Sequence, residues 1–332
     1  MVWGLVGAST IAAEHMIAAF ASQSGGQVGW VVSGNAGHVE AYAQSHSIAR
    51  TTTDIAVMLD DKAVASVYIS STNEKHLPQA LAAIAVGKHV LCEKPLAMSV
   101  ADAAQMVAAA KAKSVVFATN HHLRNAGSHL AIRDLVASGK IGRVLSMRVY
   151  HAVHLPPHLQ GWRINNAAAG GGVIADITVH DADTVRFHLG EDPVSVVASA
   201  TSSGMAQGVE DSVMSVWTMP SGAQVFAHES FTHEFAGSGL EIHGTKGSIF
   251  ARDVMTQQPV GEIELVTNAG RETIGYSKHS LYSEAVRCFV AAVSGNGTVA
   301  ASGEDGIKSL AIALAVREAA QTGNCVTVDY GA

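Results

Sequence analysis

Glu93-Lys94-Pro95 follows the short apolar run His89-Val90-Leu91-Cys92, and a second polar pair stands much further on, in Asp176-Ile177-Thr178-Val179-His180. Reducing a ketone needs a hydride donor, a cation for the developing alkoxide, and a proton source. Lys94 suits the cation and His180 the proton source. Asp176, one α-helical turn before His180, shares its face and can orient the imidazole. Each motif also has an ordinary reading, as a surface lysine and as a satisfied polar pair on a helix. Their occurrence together points to chemistry.

The elements that must carry these groups are legible in the hydrophobic rhythm. From Val2 to Ala118, β-rich runs (Val2–Val6, Val28–Val32, Ser66–Ser70, His89–Cys92, Val115–Ala118) alternate with Ala-rich helical stretches. Five βα units of this kind predict an α/β fold with a doubly wound parallel sheet. Lys94 then lies at the mouth of that sheet. After Asn120 the rhythm changes to a helix around His129–Ala137, a long strand over Arg143–His154 and a glycine run, Gly170-Gly171-Gly172, leading into a helix that ends near Leu189. Turn signals such as Pro220-Ser221-Gly222 and Gly244-Thr245-Lys246-Gly247 then separate antiparallel strands. The expected division is a nucleotide-binding domain over 1–120 and a substrate-binding α+β domain over 121–332 with a large, open, mainly antiparallel sheet. Helices over Leu281–Val293 and Glu304–Ala320 resemble crossovers that pack on a sheet or on the first domain.

The first strand ends in Gly7-Ala8-Ser9-Thr10-Ile11-Ala12, where a dinucleotide fingerprint would read G-x-G-x-x-G/A with Ser9 in place of the middle glycine. Amides at the following helix N-terminus can hold a pyrophosphate, with Ser9 adding a hydroxyl. The end of the second strand selects the cofactor, because a carboxylate there binds the ribose 2′-hydroxyl of NAD and repels the 2′-phosphate of NADP. Here the residues are Ser33-Gly34-Asn35, with no acid, which points to NADP. The nearest cations are His38 and Arg50, and a histidine is charged only part of the time near neutral pH. NAD stays open as a second cofactor.

Composition narrows the partners. The 332 residues, 48% of them hydrophobic, suffice for two cores. With 21 Lys+Arg against 28 Asp+Glu, the net charge of −7 argues against nucleic acid. No apolar run reaches the roughly 18 residues of a membrane span, and no Lys or Arg precedes Arg50 to make a signal peptide. Three scattered cysteines suggest neither disulfides nor a CxxC site, so a cytoplasmic protein is expected. Monomer and homo-oligomer both remain open.

The Gly7 turn, Glu93-Lys94-Pro95 and Asp176-x-x-x-His180, in this order and at these distances, resemble the glucose-fructose oxidoreductase / inositol dehydrogenase (Gfo/Idh/MocA) family over essentially the whole chain. Within it, Ser71-Thr72-Asn73-Glu74-x-His76, Thr119 to Asn125 and Pro156 to Arg163 carry a closer likeness. That likeness implies NADPH-dependent reduction of the C2 ketone of 1,5-anhydro-D-fructose to 1,5-anhydro-D-mannitol. It further implies that Gly7, Ala8, Ser9, Thr10 and Ile11 meet the pyrophosphate and that Ser33, Gly34 and His38 meet the adenosine phosphate. Ser71, Thr72, Asn73 and His76 would line the ribose and nicotinamide side. Glu93, Lys94, Asn120, Trp162, Arg163 and Tyr282 would complete the cofactor cleft. Position 38 departs from that closer pattern, which has an arginine there, and bidentate phosphate binding is lost with that change.

Seventeen histidines invite a metal reading. His154 and His158 have a helical ligand spacing, but Pro156-Pro157 between them forbids a regular helix, so no metal site is expected. His151 is placed instead in the sugar pocket, with Lys94, Arg163, Asp176 and His180. An NAD-dependent polyol dehydrogenase and a non-catalytic dinucleotide sensor are the alternatives; the second has no use for a proton donor.

Overall fold

The computed structural model describes residues 1–331. The chain begins with β1 (Val2–Val6), α1 (Ile17–Ala21, entered through a wide π turn at Ala12–Met16), β2 (Gln27–Val32), α2 (Ala36–Ser45), β3 (Arg50–Thr52), α3 (Ile55–Leu59), β4 (Val64–Ile69), α4 (His76–Ala85), β5 (His89–Cys92), α5 (Val100–Ala112) and β6 (Phe117–Thr119). Asn35, Asp54 and Ser99 each accept a backbone N–H in the first turn of α2, α3 and α5, which fixes where those helices start. All six strands pair in parallel, in the order β3-β2-β1-β4-β5-β6. Continuous runs such as Tyr68-Ile69 and Val90-Leu91-Cys92 are buried because a parallel sheet is covered on both faces. The order reverses between β1 and β4, so the crevice at the carboxyl ends of these strands is where a ligand of such a sheet binds.

The doubly wound sheet is as expected, with one addition. The edge strand β3 is three residues long and reads Arg-Thr-Thr, too short and too polar to signal a strand from sequence.

The second sheet draws on β7 (Val144–Ala152), β8 (Ser195–Thr201), β9 (Ser212–Thr218), β10 (Gln224–Ser230), β11 (Ser238–Gly244), β12 (Gly247–Arg252), β13 (Glu262–Thr267), β14 (Gly270–Thr273) and β15 (Val326–Thr327). The helices after β6 are α6 (Gly127–Ala137), α7 (Pro157–Gln160), α8 (Val179–Leu189, entered through a π turn at Ile174–Thr178), α9 (Leu281–Val293) and α10 (Gly303–Thr322), the last two following β14. The nine strands lie in the order β14-β13-β12-β11-β7-β10-β9-β8-β15. Every pair is antiparallel except β7 with β10. Met147, Val149, Val225, Ala227, Leu240 and Ile242 alternate onto one face and are fully buried there, the period-two pattern of a sheet covered on one side.

The chain divides into two compact units, residues 1–121 with 282–307 and residues 122–281 with 308–332. Segment 282–307 thus leaves the carboxyl-terminal part, where the sequence placed it, for the first unit. The reason is packing: Phe289 of α9 puts its ring 5.2 Å from that of Trp3, which stacks on Phe20 at 4.2 Å. Ser302 then bridges to Ala118 beyond the α9 turn. An amphipathic helix announces an apolar face without naming the surface that covers it. Among the described residues, no helix is long and apolar enough to cross a membrane. Phe289→Ala should leave a cavity beside Trp3 and cost about 3–5 kcal/mol of stability; an unchanged urea midpoint would show that the ring does not hold α9.

Candidate active site

Gly7 closes β1 with φ +109°, donating its N–H to Val32 O at 2.8 Å. A Cβ at this position would lie 2.8 Å from the Ser70 and Ser71 backbone, so only glycine fits. The Ser9 hydroxyl, expected as a phosphate donor, lies 2.7 Å from Ser70 Oγ and accepts the Ala12 N–H at 3.3 Å, which seats the helix start against β4. The Tyr42 hydroxyl donates to Ser9 O at 3.0 Å, and His38 Nε2 lies 3.1 Å from Ala8 O. The turn of Gly7, Ala8, Ser9, Thr10 and Ile11 is therefore tied to α2, and its glycine-only cradle at a helix start fits a dinucleotide pyrophosphate. Gly34 has open space around it. Arg50, one of the two candidate cations, is committed elsewhere: it lies 2.7 Å from Asp61 and 4.7 Å over the Trp30 ring. Of the pair, that leaves His38, in the first turn of the helix that follows Ser33 and Gly34.

Lys94 is fixed by what flanks it. Glu93 is buried, and its Oε1 accepts from the Tyr68 hydroxyl at 2.5 Å and from Asn120 Nδ2 at 2.6 Å. On the other side the Lys94–Pro95 peptide is cis. The buried His76 puts Nδ1 2.9 Å from Pro95 O and Nε2 3.2 Å from Ser71 O. With both ring nitrogens on backbone carbonyls, His76 holds the loops after β4 and β5 rather than presenting a polar atom to a cofactor. Ser71 Oγ donates to Gln79 at 2.6 Å and Thr72 Oγ1 to Glu74 at 2.7 Å, while Asn73 is buried. Tyr282 is buried in the same unit, stacked on His15 at 4.6 Å.

In the second unit, Gly171 and Gly172 stitch the Trp162-Arg163 loop to the helix carrying Asp176 and His180. Gly171 N–H donates to Asn166 O at 2.9 Å and Gly172 N–H to Arg163 O at 2.8 Å. A Cβ on Gly171 would strike Trp162 O at 2.7 Å, and one on Gly172, at φ +104°, would strike Glu210 Oε1 at 2.4 Å. Glu210 in turn accepts the Val173 and Ile174 N–H groups, at 3.0 and 3.2 Å, and caps the helix start. The expected regular α spacing of Asp176 and His180 is modified, because Ile174–Thr178 forms a wider π turn. Asp176 Oδ2 lies 3.4 Å from Arg163 Nε, and the Arg163 guanidinium sits 4.7 Å over the Trp162 ring. His180 is buried, with the His122 ring edge-on at 4.8 Å. One turn further, Arg124 grips Asp183 through two bonds of 2.8 and 2.6 Å. His151, near the end of β7, lies 3.5 Å from Asp181.

Sequence reasoning missed Tyr68, Glu210 and Asp181. Tyr68 reads as one more apolar strand residue, and Glu210 sits in a polar loop 36 positions from the N–H it caps. Among the described residues no group of three His, Cys, Asp or Glu is placed to hold a metal ion.

Residues 1–121 match the model of an oxidoreductase family with an NAD-binding Rossmann fold, and residues 129–250 match the GFO/IDH/MocA C-terminal domain. The chain belongs to the Gfo/Idh/MocA oxidoreductase family. A member from Ensifer adhaerens, 1,5-anhydro-D-fructose reductase, is 50% identical over 330 residues, covering 99% of each chain. Inositol 2-dehydrogenase of Rhizobium meliloti is 32% identical over 251 residues, 71% of this chain and 72% of that one. The family fold is shared with an aldose-aldose oxidoreductase from Caulobacter crescentus solved with glycerol, at a TM-score of 0.90 and 24% identity over 98% and 99% of the two chains.

Burial raises the Glu93 pKa above the ordinary carboxylate range, against the opposing pull of Tyr68, Asn120 and Lys94. The folded chain then holds a proton that the unfolded chain releases. Its contribution to stability is full below the usual carboxylate pKa and is lost as pH rises through the raised one. Glu93→Gln keeps an acceptor for Tyr68 and Asn120, so thermal melts across that window should decline less steeply with pH than those of the unaltered protein; parallel declines would place the linkage elsewhere.

Proposed function

We propose that this protein reduces the C2 ketone of 1,5-anhydro-D-fructose to 1,5-anhydro-D-mannitol with NADPH. The observation that carries the reading is the clasp around Lys94: Glu93 and His76 immobilise the backbone on both sides of it, at the carboxyl end of β5. A surface lysine needs no such support. The half-identical reductase from Ensifer adhaerens supports the choice of ketone.

The bound nicotinamide supplies the hydride. Lys94 holds the ketone oxygen and offsets the charge that develops on it. His180 delivers the proton to that oxygen from an imidazole nitrogen, and Asp176, steadied by Arg163, orients the exchange. Trp162 and Arg163 shield the reacting face from water, held by the glycine stitching of their loop. His151 bonds a hydroxyl of the sugar. Ala8 to Ile11 receive the pyrophosphate, Ser33, Gly34 and His38 the adenosine phosphate, and Ser71, Thr72 and Asn73 the ribose side. The reaction is assigned to the cytoplasm, where the three free cysteines stay reduced.

A second reading, an NAD-dependent dehydrogenase of an inositol-type polyol, is favoured by one feature: Arg50 is paired with Asp61 and lies over Trp30 instead of standing free for a 2′-phosphate. The two readings separate in a steady-state comparison. Turnover with NADPH and the ketose supports the first, and turnover only with NAD and a polyol supports the second. Lys94→Ala and His180→Ala should each lower kcat by about 10²- to 10⁴-fold; full rates in both would end the site assignment. His38→Arg restores a guanidinium fork beside Ser33, so KM for NADPH should fall while KM for NADH stays put. Equal effects on both cofactors would detach position 38 from phosphate recognition.

A further inference from the structure

The buried face of the β7/β10 pair is apolar pair by pair until its last one. Across the parallel β7/β10 pair, Met147 stands beside Val225, Val149 beside Ala227, and then His151 beside Glu229. Glu229 is fully buried, as is Asp181 on α8, the helix packed against β7. His151 Nδ1 lies 3.5 Å from Asp181 Oδ1, and 17% of the His151 side chain reaches the surface. None of the four carboxyl oxygens, nor His151 Nδ1, completes a hydrogen bond of ordinary geometry. Two carboxylates in one dry site cannot both be ionised cheaply. Burial, and then the Asp181 charge, pushes the Glu229 pKa well above its usual range. Asp181 is raised by burial against the pull of His151.

We propose that Asp181 and Glu229 share a single proton, and that the one charge left to the pair fixes His151 as its Nδ1–H tautomer, presenting Nε2 as an acceptor to a substrate hydroxyl. Asp181 and Glu229 are then positioning residues that act through His151, the substrate part resting on the function proposed above. Which imidazole nitrogen carries the proton is set by the partner of the other. The remaining groups around the trio are Thr178 of the π turn beside Glu229, His129 of α6 near His151, and His180, adjacent to Asp181 in sequence. The neighbouring strands contribute Val213 beside Glu229 and Ser238 beside His151, neither of them charged.

Two measurements on the full chain test this without turnover. Infrared difference spectra between neutral and alkaline pH should show a protonated carboxyl stretch that Glu229→Gln and Asp181→Asn each remove. In ¹⁵N-histidine spectra, with His151 assigned from its loss in His151→Ala, the ring should be the Nδ1–H tautomer and should change in Asp181→Asn. With 1,5-anhydro-D-fructose, Asp181→Asn should raise the ketose KM about tenfold, the scale of one hydrogen bond, with KM for NADPH unmoved. Adding His151→Ala should then cost no more than His151→Ala alone. An Nε2–H ring in the unaltered protein, a carboxyl stretch that survives both substitutions, or additive KM effects would each overturn the proposal. Absence of ketose turnover in the unaltered protein sinks the function proposed above, while the two spectra still decide on the pair and the tautomer.

Discussion

A single buried carboxyl ties together the ends of three parallel strands. Glu93 follows β5, and its two donors are Tyr68 on β4 and Asn120 just after β6. The Glu93 N–H also donates to Ile69 O, and the Asn120 N–H to Cys92 O, each at roughly the length of an ordinary ladder bond. The carboxyl edge of the sheet is thus set by a polar knot in an otherwise apolar layer. Such a knot specifies one arrangement, because breaking it leaves a buried acceptor with no donor. Lys94 is the next residue along the chain, so its backbone inherits that rigidity.

The second unit reaches the same end by different means. Its polar groups ride on a helix whose first turn is wide, and Gly171 lets the preceding loop approach so closely that the carbonyls of Trp162, Arg163 and Asn166 leave no room for a Cβ there. Glu210 supplies acceptors for amides that a helix start leaves unsatisfied. Both units therefore hold their candidate residues through hydrogen-bonded neighbours. Such anchoring reduces the freedom that would otherwise be lost on binding.

The adenosine end shows how one committed cation changes a specificity argument. On the sequence, His38 and Arg50 are the nearest cations for a 2′-phosphate, and His38 is the one placed in the site. In the fold Arg50 lies over Trp30 and against Asp61, whose carboxyl is held below its usual range first by the Trp30 indole N–H. His38, in the first turn of α2, has its ring in contact with the Ala8 carbonyl. Under the function proposed above, selectivity at this end rests on an imidazole and a serine, a weaker contrast between NADP and NAD than a guanidinium would give.

The sequence by itself determined the parallel sheet, the open antiparallel sheet and the position of Lys94 after β5, because these follow from local periodicity and from turn residues that admit few conformations. It also marked Gly7, whose φ no other residue adopts comfortably. What it could not decide was which distant groups meet. The assignment of 282–307 to the first unit depends on Phe289 finding Trp3, some 286 positions away in sequence and 5.2 Å away in space. The pairing of Asp181 with Glu229 and His151 depends on β7 lying parallel to β10 rather than in a simple hairpin. Likewise the capping of the turn before α8 depends on Glu210, which is distant in sequence. Burial and hydrogen-bond saturation are properties of the whole packed chain, so tertiary structure alone could turn His76 from an expected cofactor contact into a staple between two loops.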